Sequence, residues 1–306
     1  MAVPELAPLQ VLPSRGGWFI NFVLVLDEND AASMKAAPSP AGAGYDWKDE
    51  GEEWSAPWGC SASQWAGTLL PRIHEWVPTK TILELAPGFG RWTHYLEGLC
   101  LQMHLVDFQE RCIAACRRRF AEKTHLHYHH NDGESLAMIA DGSIDFLFSF
   151  DSLVHAPRVA IESYVRECGR ILRKDGVGFI HHSNLGAYAR SFDEIVSAGA
   201  RRLWTKMGLA ESNHSRVADM TAELFRELCA THGLQCIRQE RINWRGRRLL
   251  DCISTFVRTD SKHAAPLRVW DNYEFMREAE IIRQRSQIYP TPLGGRGDAL
   301  SDPRRA

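Results

Sequence analysis

The sequence predicts an α/β fold: a mostly parallel sheet with helices on both faces, ending in an antiparallel pair of strands. Three observations predict it. Short apolar runs alternate with amphipathic segments from Thr81 to His182, the pattern of strands joined by crossover helices. The first of these runs enters a glycine-containing turn and then a helix. The last two runs, Leu234 to Ile242 and Leu249 to Val257, are linked only by Asn243 to Arg248. That link is too short for a crossover helix, so the two strands are expected to lie antiparallel.

The elements follow in order. Residues 1–45 are expected to be a flexible extension, with Ala36 to Gly44 as an Ala/Pro/Ser/Gly linker. Trp18 to Leu26 is too short to span a membrane. It also makes a poor signal peptide, because Asp27-Glu28-Asn29-Asp30 stands where cleavage would fall. Met34 is an alternative start. An aromatic cap is expected over residues 46–79, with a helix from Gln64 to Trp76 interrupted by Pro71. Then come strand Thr81 to Leu85, helix Arg91 to Leu99, strand Met103 to Val106, helix Gln109 to Lys123 and strand Leu126 to His130. Strand Ile144 to Phe150, helix Val159 to Arg173 and strand Val177 to His182 complete the alternating part. Residues 185–218 lack strand character and read as a lid. Helix Thr221 to His232 ends at Gly233, the terminal strand pair follows, and a charged helix is expected from Asp271 to Gln287.

Composition narrows the function. The 306 residues carry 36 Lys+Arg against 38 Asp+Glu, for a formal charge of −2. No basic footprint for nucleic acid is present. The eight cysteines never take the two-residue spacing of a zinc knuckle, so free thiols in a reducing cytoplasm are expected. His125, His127 and His129 share one strand face. They read as a polar edge in preference to a metal site, and no metal is expected.

The chemistry centres on Glu84-Leu85-Ala86-Pro87-Gly88-Phe89-Gly90, a strand end running into a turn. Gly88 and Gly90 would let backbone approach a ligand. Asp107 ends the next strand, where an acidic residue can accept from both ribose hydroxyls of a nucleoside. A dinucleotide fingerprint would need Gly or Ala where Thr93 stands. Glu84 before the turn would repel a pyrophosphate and suit an ammonium. A ligand with a nucleoside, no phosphate and an amino-acid end fits these features: S-adenosylmethionine.

At these residues the chain resembles the class I S-adenosylmethionine-dependent methyltransferases. Ala86 replaces the usual first glycine of their first motif, and Asp107 matches their ribose-binding acid. Asn131-Asp132-Gly133 resembles the segment whose acidic side chain meets the adenine amino group. Phe148 to His155, including Phe150 and Asp151, resembles the segment that lines both cofactor and acceptor. Arg170 to Gly178 resembles the turn into the fifth strand. The resemblance spans residues 80–258 and implies a Rossmann-like seven-stranded sheet of order 3-2-1-4-5-7-6, the last strand antiparallel. Residues 259–306 then form a C-terminal helix and tail. Trp54 to Trp65, His181 to Asn184 and Asp251 to Ser254 are similar to a bacterial subgroup acting on small molecules or sugars.

Methyl transfer is an in-line displacement in which the protein mainly aligns the reactants. A hydroxyl acceptor also needs a base, and histidine suits neutral pH. His155, four residues after Asp151, is the first choice, and His182 at the end of the adjacent strand is the second. Blander readings stay open: Asp132 as a turn former, His155 as a packed helix-start residue, and one of His181 and His182 as structural. The implied enzyme moves a methyl group to a small-molecule acceptor, most readily a hydroxyl of a sugar or natural product. A nitrogen acceptor and a non-catalytic cofactor-binding protein are the alternatives. No nucleic-acid or membrane partner is expected, and homodimerisation is left open.

Overall fold

A computed structural model of the chain describes residues 47, 49–188, 216–244 and 246–289. The expected extension, most of the expected lid and the C-terminal tail lie outside the described residues.

The sheet has eight strands: β1 (Thr79–Leu85), β2 (Cys100–Asp107), β3 (Leu126–His130), β4 (Ile144–Ser149), β5 (Leu172–Ser183), β6 (Leu234–Ile242), β7 (Asp251–Arg258) and β8 (Arg268–Asn272). Their spatial order is β3-β2-β1-β4-β5-β7-β6-β8. The first five strands run parallel, while β7 runs antiparallel to both β5 and β6. This is the expected order with one strand added, since β8 joins the edge parallel to β6.

The helices are α1 (Ser61–Gln64), α2 (Leu70–Ile73), α3 (Thr93–Leu96), α4 (Glu110–Arg119), α5 (Arg158–Ile171), α6 (Ala222–Thr231) and α7 (Phe275–Ile288). A π-helical stretch, Trp65–Leu69, joins α1 to α2. The expected interruption at Pro71 therefore does not occur. Leu70 N–H reaches back to the Trp65 carbonyl and the wider turn ends there, so the missing Pro71 N–H falls near the start of α2, where it does little harm. The expected helix from Asp271 is also corrected. Arg268–Asn272 is strand β8, and α7 starts only at Phe275, after Asn272 Oδ1 accepts from Glu274 N–H at 3.0 Å. The expected Arg91–Leu99 helix is a short α3 followed by a 3₁₀ turn, Glu97–Leu99.

Strand parity sorts the core into two layers. Ile82, Leu105, Phe146, Phe148 and Phe179 face the cap, which supplies Trp58, Trp65, Leu69 and Ile73, and α7, which supplies Phe275 and Ile282. Leu83, Leu85, Val106, Leu147 and Ile180 face α5 and α6 through Val165, Ile171, Phe225 and Leu228. Each fully buried side chain of this kind contributes about 1.5–3 kcal/mol. Burial on both faces explains the nearly continuous apolar runs of the central strands. No described helix is long and apolar enough to cross a membrane.

Candidate active site

The C-terminal ends of the parallel strands gather the predicted residues, as open α/β sheets dictate. The turn after β1 is left-handed at Ala86 (φ 59°), Gly88 (φ 58°) and Gly90 (φ 85°). Ala86 N–H donates to the Val106 carbonyl at 2.7 Å, pinning the turn to β2. The two glycines serve different ends. A Cβ on Gly88 would lie 2.6 Å from the Trp47 ring, which stacks on Phe89 at 4.7 Å. A Cβ on Gly90 would lie 2.5 Å from Phe120 and 3.3 Å from Cys116 Sγ. Gly90 thus lets the turn press against α4, a packing role that the sequence did not show.

Asp107 closes β2 and is 4% exposed. Its carboxylate accepts from Gln109 N–H at 2.8 Å and Gly88 N–H at 3.3 Å. Burial pushes this carboxyl up to about 6, against the pull of those two donors. The carboxylate thereby sits at a strand end with its orientation fixed by backbone. Phe108, the next residue, is half exposed and packs beside Gly133. Sequence reasoning passed over Phe108, although an apolar residue following a strand-end acid was a signal for it.

Beyond β3, the blander expectation for Asp132, a turn former, describes its geometry. Asp132 is exposed, and its Oδ1 accepts from Glu134 and Ser135 N–H at 2.9 and 2.6 Å. It builds the turn. Asn131 is buried, and its Nδ2 donates to the Ser135 carbonyl and the Tyr164 hydroxyl. Asn131 Oδ1 is a buried acceptor with no partner among the described residues. An exocyclic amino group would satisfy it. Asp107 and Asn131 together therefore fit an adenosine.

Glu84 lies beneath the turn at 1% exposure. Thr93, the residue that breaks the dinucleotide pattern, donates its hydroxyl to Glu84 at 2.5 Å. Burial drives the Glu84 carboxyl up to about 8, outweighing Thr93 and the nearby Arg91.

On the other side of β1, Phe150 and Asp151 follow directly on β4. Phe150 stacks on His181 at 4.6 Å and meets Trp92 edge-on at 6.0 Å. Asp151 is left-handed (φ 72°). Its N–H donates to His181 Nδ1 at 3.1 Å, and its carboxylate takes Arg91 at 2.9 Å. Arg91 also donates to Ser55 of the cap at 3.1 Å. Ser152 Oγ donates to the Ala86 carbonyl at 2.8 Å, tying this segment to the first turn. His155 ends the next 3₁₀ turn, Leu153–His155, and is partly exposed.

His182 is a correction. It is fully buried and stacks on Phe225 of α6 at 4.1 Å. Its Nδ1 donates to the Ser183 carbonyl and its Nε2 accepts from Ser254 Oγ, both at 2.9 Å. Burial lowers this imidazole to about 4. Strand parity aims it into the α6 layer, away from the site, with both nitrogens engaged.

His181 faces the site instead. Since Nδ1 accepts from Asp151, Nε2 carries the proton and lies 3.3 Å from Asp251 Oδ2. Arg216 grips Asp251 with two bonds of 2.8 and 2.7 Å and lies 4.9 Å over Trp244. Burial opposes the Asp251 charge, but Arg216 and His181 hold it well below the usual carboxylate range. Arg216 and Trp244 were not foreseen from sequence.

Fold and strand-end groups define an α/β domain whose buried Asp107 and Asn131 gather at the C-terminal ends of adjacent parallel strands. Residues 82–176 match a family model described as a methyltransferase domain. No curated protein matches the sequence. Among solved structures, the chain is similar to the CcbJ methyltransferase from Streptomyces caelestis, with 12% identity, 70% of this chain and 100% of that one covered, and TM-score 0.47. It is similar to the PH0226 protein from Pyrococcus horikoshii OT3, with 18% identity, 62% and 88% covered, and TM-score 0.46. It is also similar to the N-methyltransferase NodS from Bradyrhizobium japonicum WM9, with 13% identity, 64% and 96% covered, and TM-score 0.44. The chain carries a class I S-adenosylmethionine-dependent methyltransferase domain, and its methyl donor is S-adenosylmethionine.

Proposed function

We propose that this methyltransferase acts on a hydroxyl of a small molecule, a sugar or natural product, in the cytoplasm. The supporting observation is the segment after β4. Ser152 joins it to the Ala86 turn, Asp151 joins it to the cap through Arg91, and His155 follows on the same short turn. One segment therefore orients donor and acceptor together.

S-adenosylmethionine supplies an activated methyl group. Asp107 would hold the ribose hydroxyls, Asn131 Oδ1 the adenine amino group and Glu84 the ammonium, with the Ala86–Gly88 backbone running alongside. Phe150 and Trp92 exclude water from the path of transfer. His155 takes the acceptor proton as the methyl group moves. The left-handed Asp151 turn, held by His181, fixes where that segment points.

The test separates binding from chemistry. Calorimetry with S-adenosylhomocysteine should show unchanged affinity in His155→Ala, while methyl transfer to a hydroxyl acceptor falls. Full activity in that variant would remove the base from the reading and favour a nitrogen acceptor.

A further inference from the structure

We propose that Gln64, together with the indole N–H of Trp92, recognises the acceptor, and that the acceptor is an uncharged, hydroxylated ring of the carbohydrate kind; this rests on the methyl-transfer reading above.

Gln64 is 0% exposed, yet neither its Oε1 nor its Nε2 has a partner among the described residues. Trp92 is 3% exposed, and its Nε1 is likewise without one. Buried polar side-chain atoms are nearly always paired, because an unmade hydrogen bond forfeits the full cost of desolvation. A whole carboxamide left open is tolerable where a ligand completes it.

The placement of Gln64 supports a ligand. It is the last residue of α1, and the π-helical stretch Trp65–Leu69 begins right after it. Such widened turns are frequent at functional sites, where they re-aim a side chain. Ser61, one turn before, bonds Tyr95 Oη at 2.6 Å, and Thr68, one turn after, accepts from Trp58 Nε1 at 2.8 Å. Gln64 shares that inward helix face. Trp65 stacks on Tyr95 at 5.2 Å and lies 6.5 Å from Trp92, which meets Phe150. The cap face bearing Gln64 thus leads to the end of β4. Asp107 and Asn131 lie across β1 at the ends of β2 and β3, so the donor's nucleoside has its own groups.

Charge and shape define the ligand class. Arg91 pairs with Asp151, and Arg216 pairs with Asp251. The two pairs cancel, so among the described residues here neither pair offers a charged acceptor an uncompensated counter-charge. A carboxamide both donates and accepts, as a hydroxyl does, and the indole adds a second donor. Trp and Phe rings suit the apolar face of a sugar ring.

The experiment uses the full chain as wild type and as two variants, Gln64→Met and Trp92→Phe. Readouts are thermal unfolding, S-adenosylhomocysteine calorimetry, and transfer of the labelled methyl group to methyl α-D-glucopyranoside, methyl α-D-mannopyranoside and methyl α-L-rhamnopyranoside. Gln64→Met replaces an unsatisfied amide with an apolar group of similar size. It should raise the melting temperature by about 2–4 °C. S-adenosylhomocysteine affinity should stay within about twofold, while kcat/KM for the accepted glycoside falls about tenfold or more. Trp92→Phe keeps a ring and drops the N–H, and should lower kcat/KM without weakening S-adenosylhomocysteine. A lowered melting temperature with unchanged transfer would make Gln64 structural and overturn the proposal. A matching loss of S-adenosylhomocysteine affinity would assign Gln64 to the donor and overturn it too. Wild type that binds S-adenosylhomocysteine but methylates none of the glycosides overturns the ligand class alone. Wild type that does not bind it overturns the methyl-transfer reading and this proposal with it.

Discussion

Glu84 offers a direct test of how the donor is held. Its carboxyl is pushed up to about 8 by burial, from an ordinary value of 4.5. At pH 7 a group at about 8 is about nine-tenths protonated. An ammonium placed beside it favours the charged form, so donor binding should expel that proton. Asp107, at about 6, adds only about a tenth of a proton at pH 7. Calorimetry of S-adenosylhomocysteine at pH 7, in two buffers of different ionisation enthalpy, should therefore show release of about one proton per site. Affinity should improve about tenfold per pH unit up to about pH 8 and then level off. The same shift acts on stability. The folded state holds the Glu84 proton to higher pH than the unfolded chain does, so the contribution is complete below pH 4.5 and is lost as pH rises through about 8. At about 1.4 kcal/mol per unit, the displacement amounts to roughly 5 kcal/mol across that window. Glu84→Gln keeps the Thr93 hydrogen bond and removes the titration. Its melting temperature should gain on wild type steadily from pH 4.5 to pH 8. Binding by wild type without proton release, or a Gln variant retaining the same pH dependence, would refute the placement of the ammonium at Glu84.

Asp107→Ala should weaken S-adenosylhomocysteine about ten- to a hundredfold, the cost of losing charge-assisted hydrogen bonds of about 1.5–3 kcal/mol, as read by calorimetry on the folded variant. His155→Ala should cut turnover of a hydroxyl acceptor by about 10² to 10⁴, whereas His182→Gln should lower the melting temperature and spare kcat in the surviving folded enzyme. Gly90→Ala should destabilise the fold by about 1–3 kcal/mol through the clash with Phe120, measured by denaturant unfolding. Gly88→Ala should act on donor affinity more than on stability, because the group it meets is the ring of Trp47.

The parts of this molecule legible in sequence are those set by local pattern. The strands β1 to β5 announce themselves because both faces are buried, leaving apolar runs bounded by turns. The acid at the end of β2 and the left-handed turn at Ala86 to Gly90 follow from strand ends and glycine. Strand β8 was missed because Arg268-Val269-Trp270-Asp271 is exposed along its length and shows neither strand alternation nor an apolar run. The choice between His181 and His182 was a matter of parity. Sequence showed that one points each way, but the pairing of β5 with β7 decides that His182 meets Ser254. The packing role of Gly90 was hidden because Phe120 lies thirty residues away and only folding brings it near. Asn131 and Asp132 could not be ranked without knowing which side chain the local turn consumes. Arg216, near the end of the expected lid, had no visible partner until β7 placed Asp251 beside it.

The cap is fastened to parts of the chain made much later. Arg72 of α2 forks onto Glu240 of β6 and also reaches Glu278 of α7, 206 residues further on. Glu240 takes Asn272 of β8 as well, and a Cβ on Gly67 would collide with Ile282 at 2.7 Å. On a ribosome the cap emerges before the first strand of the sheet, but its berth is complete only after α7 has left the exit tunnel. Chains halted before residue 275 should therefore show a protease-sensitive segment 52–76 beside an already resistant β1 to β5. The cap would then be made before the sheet it packs on and be the last to be fastened. Loss of helix α7 would loosen the cap while leaving the strand ends that carry Asp107 and Asn131 in place.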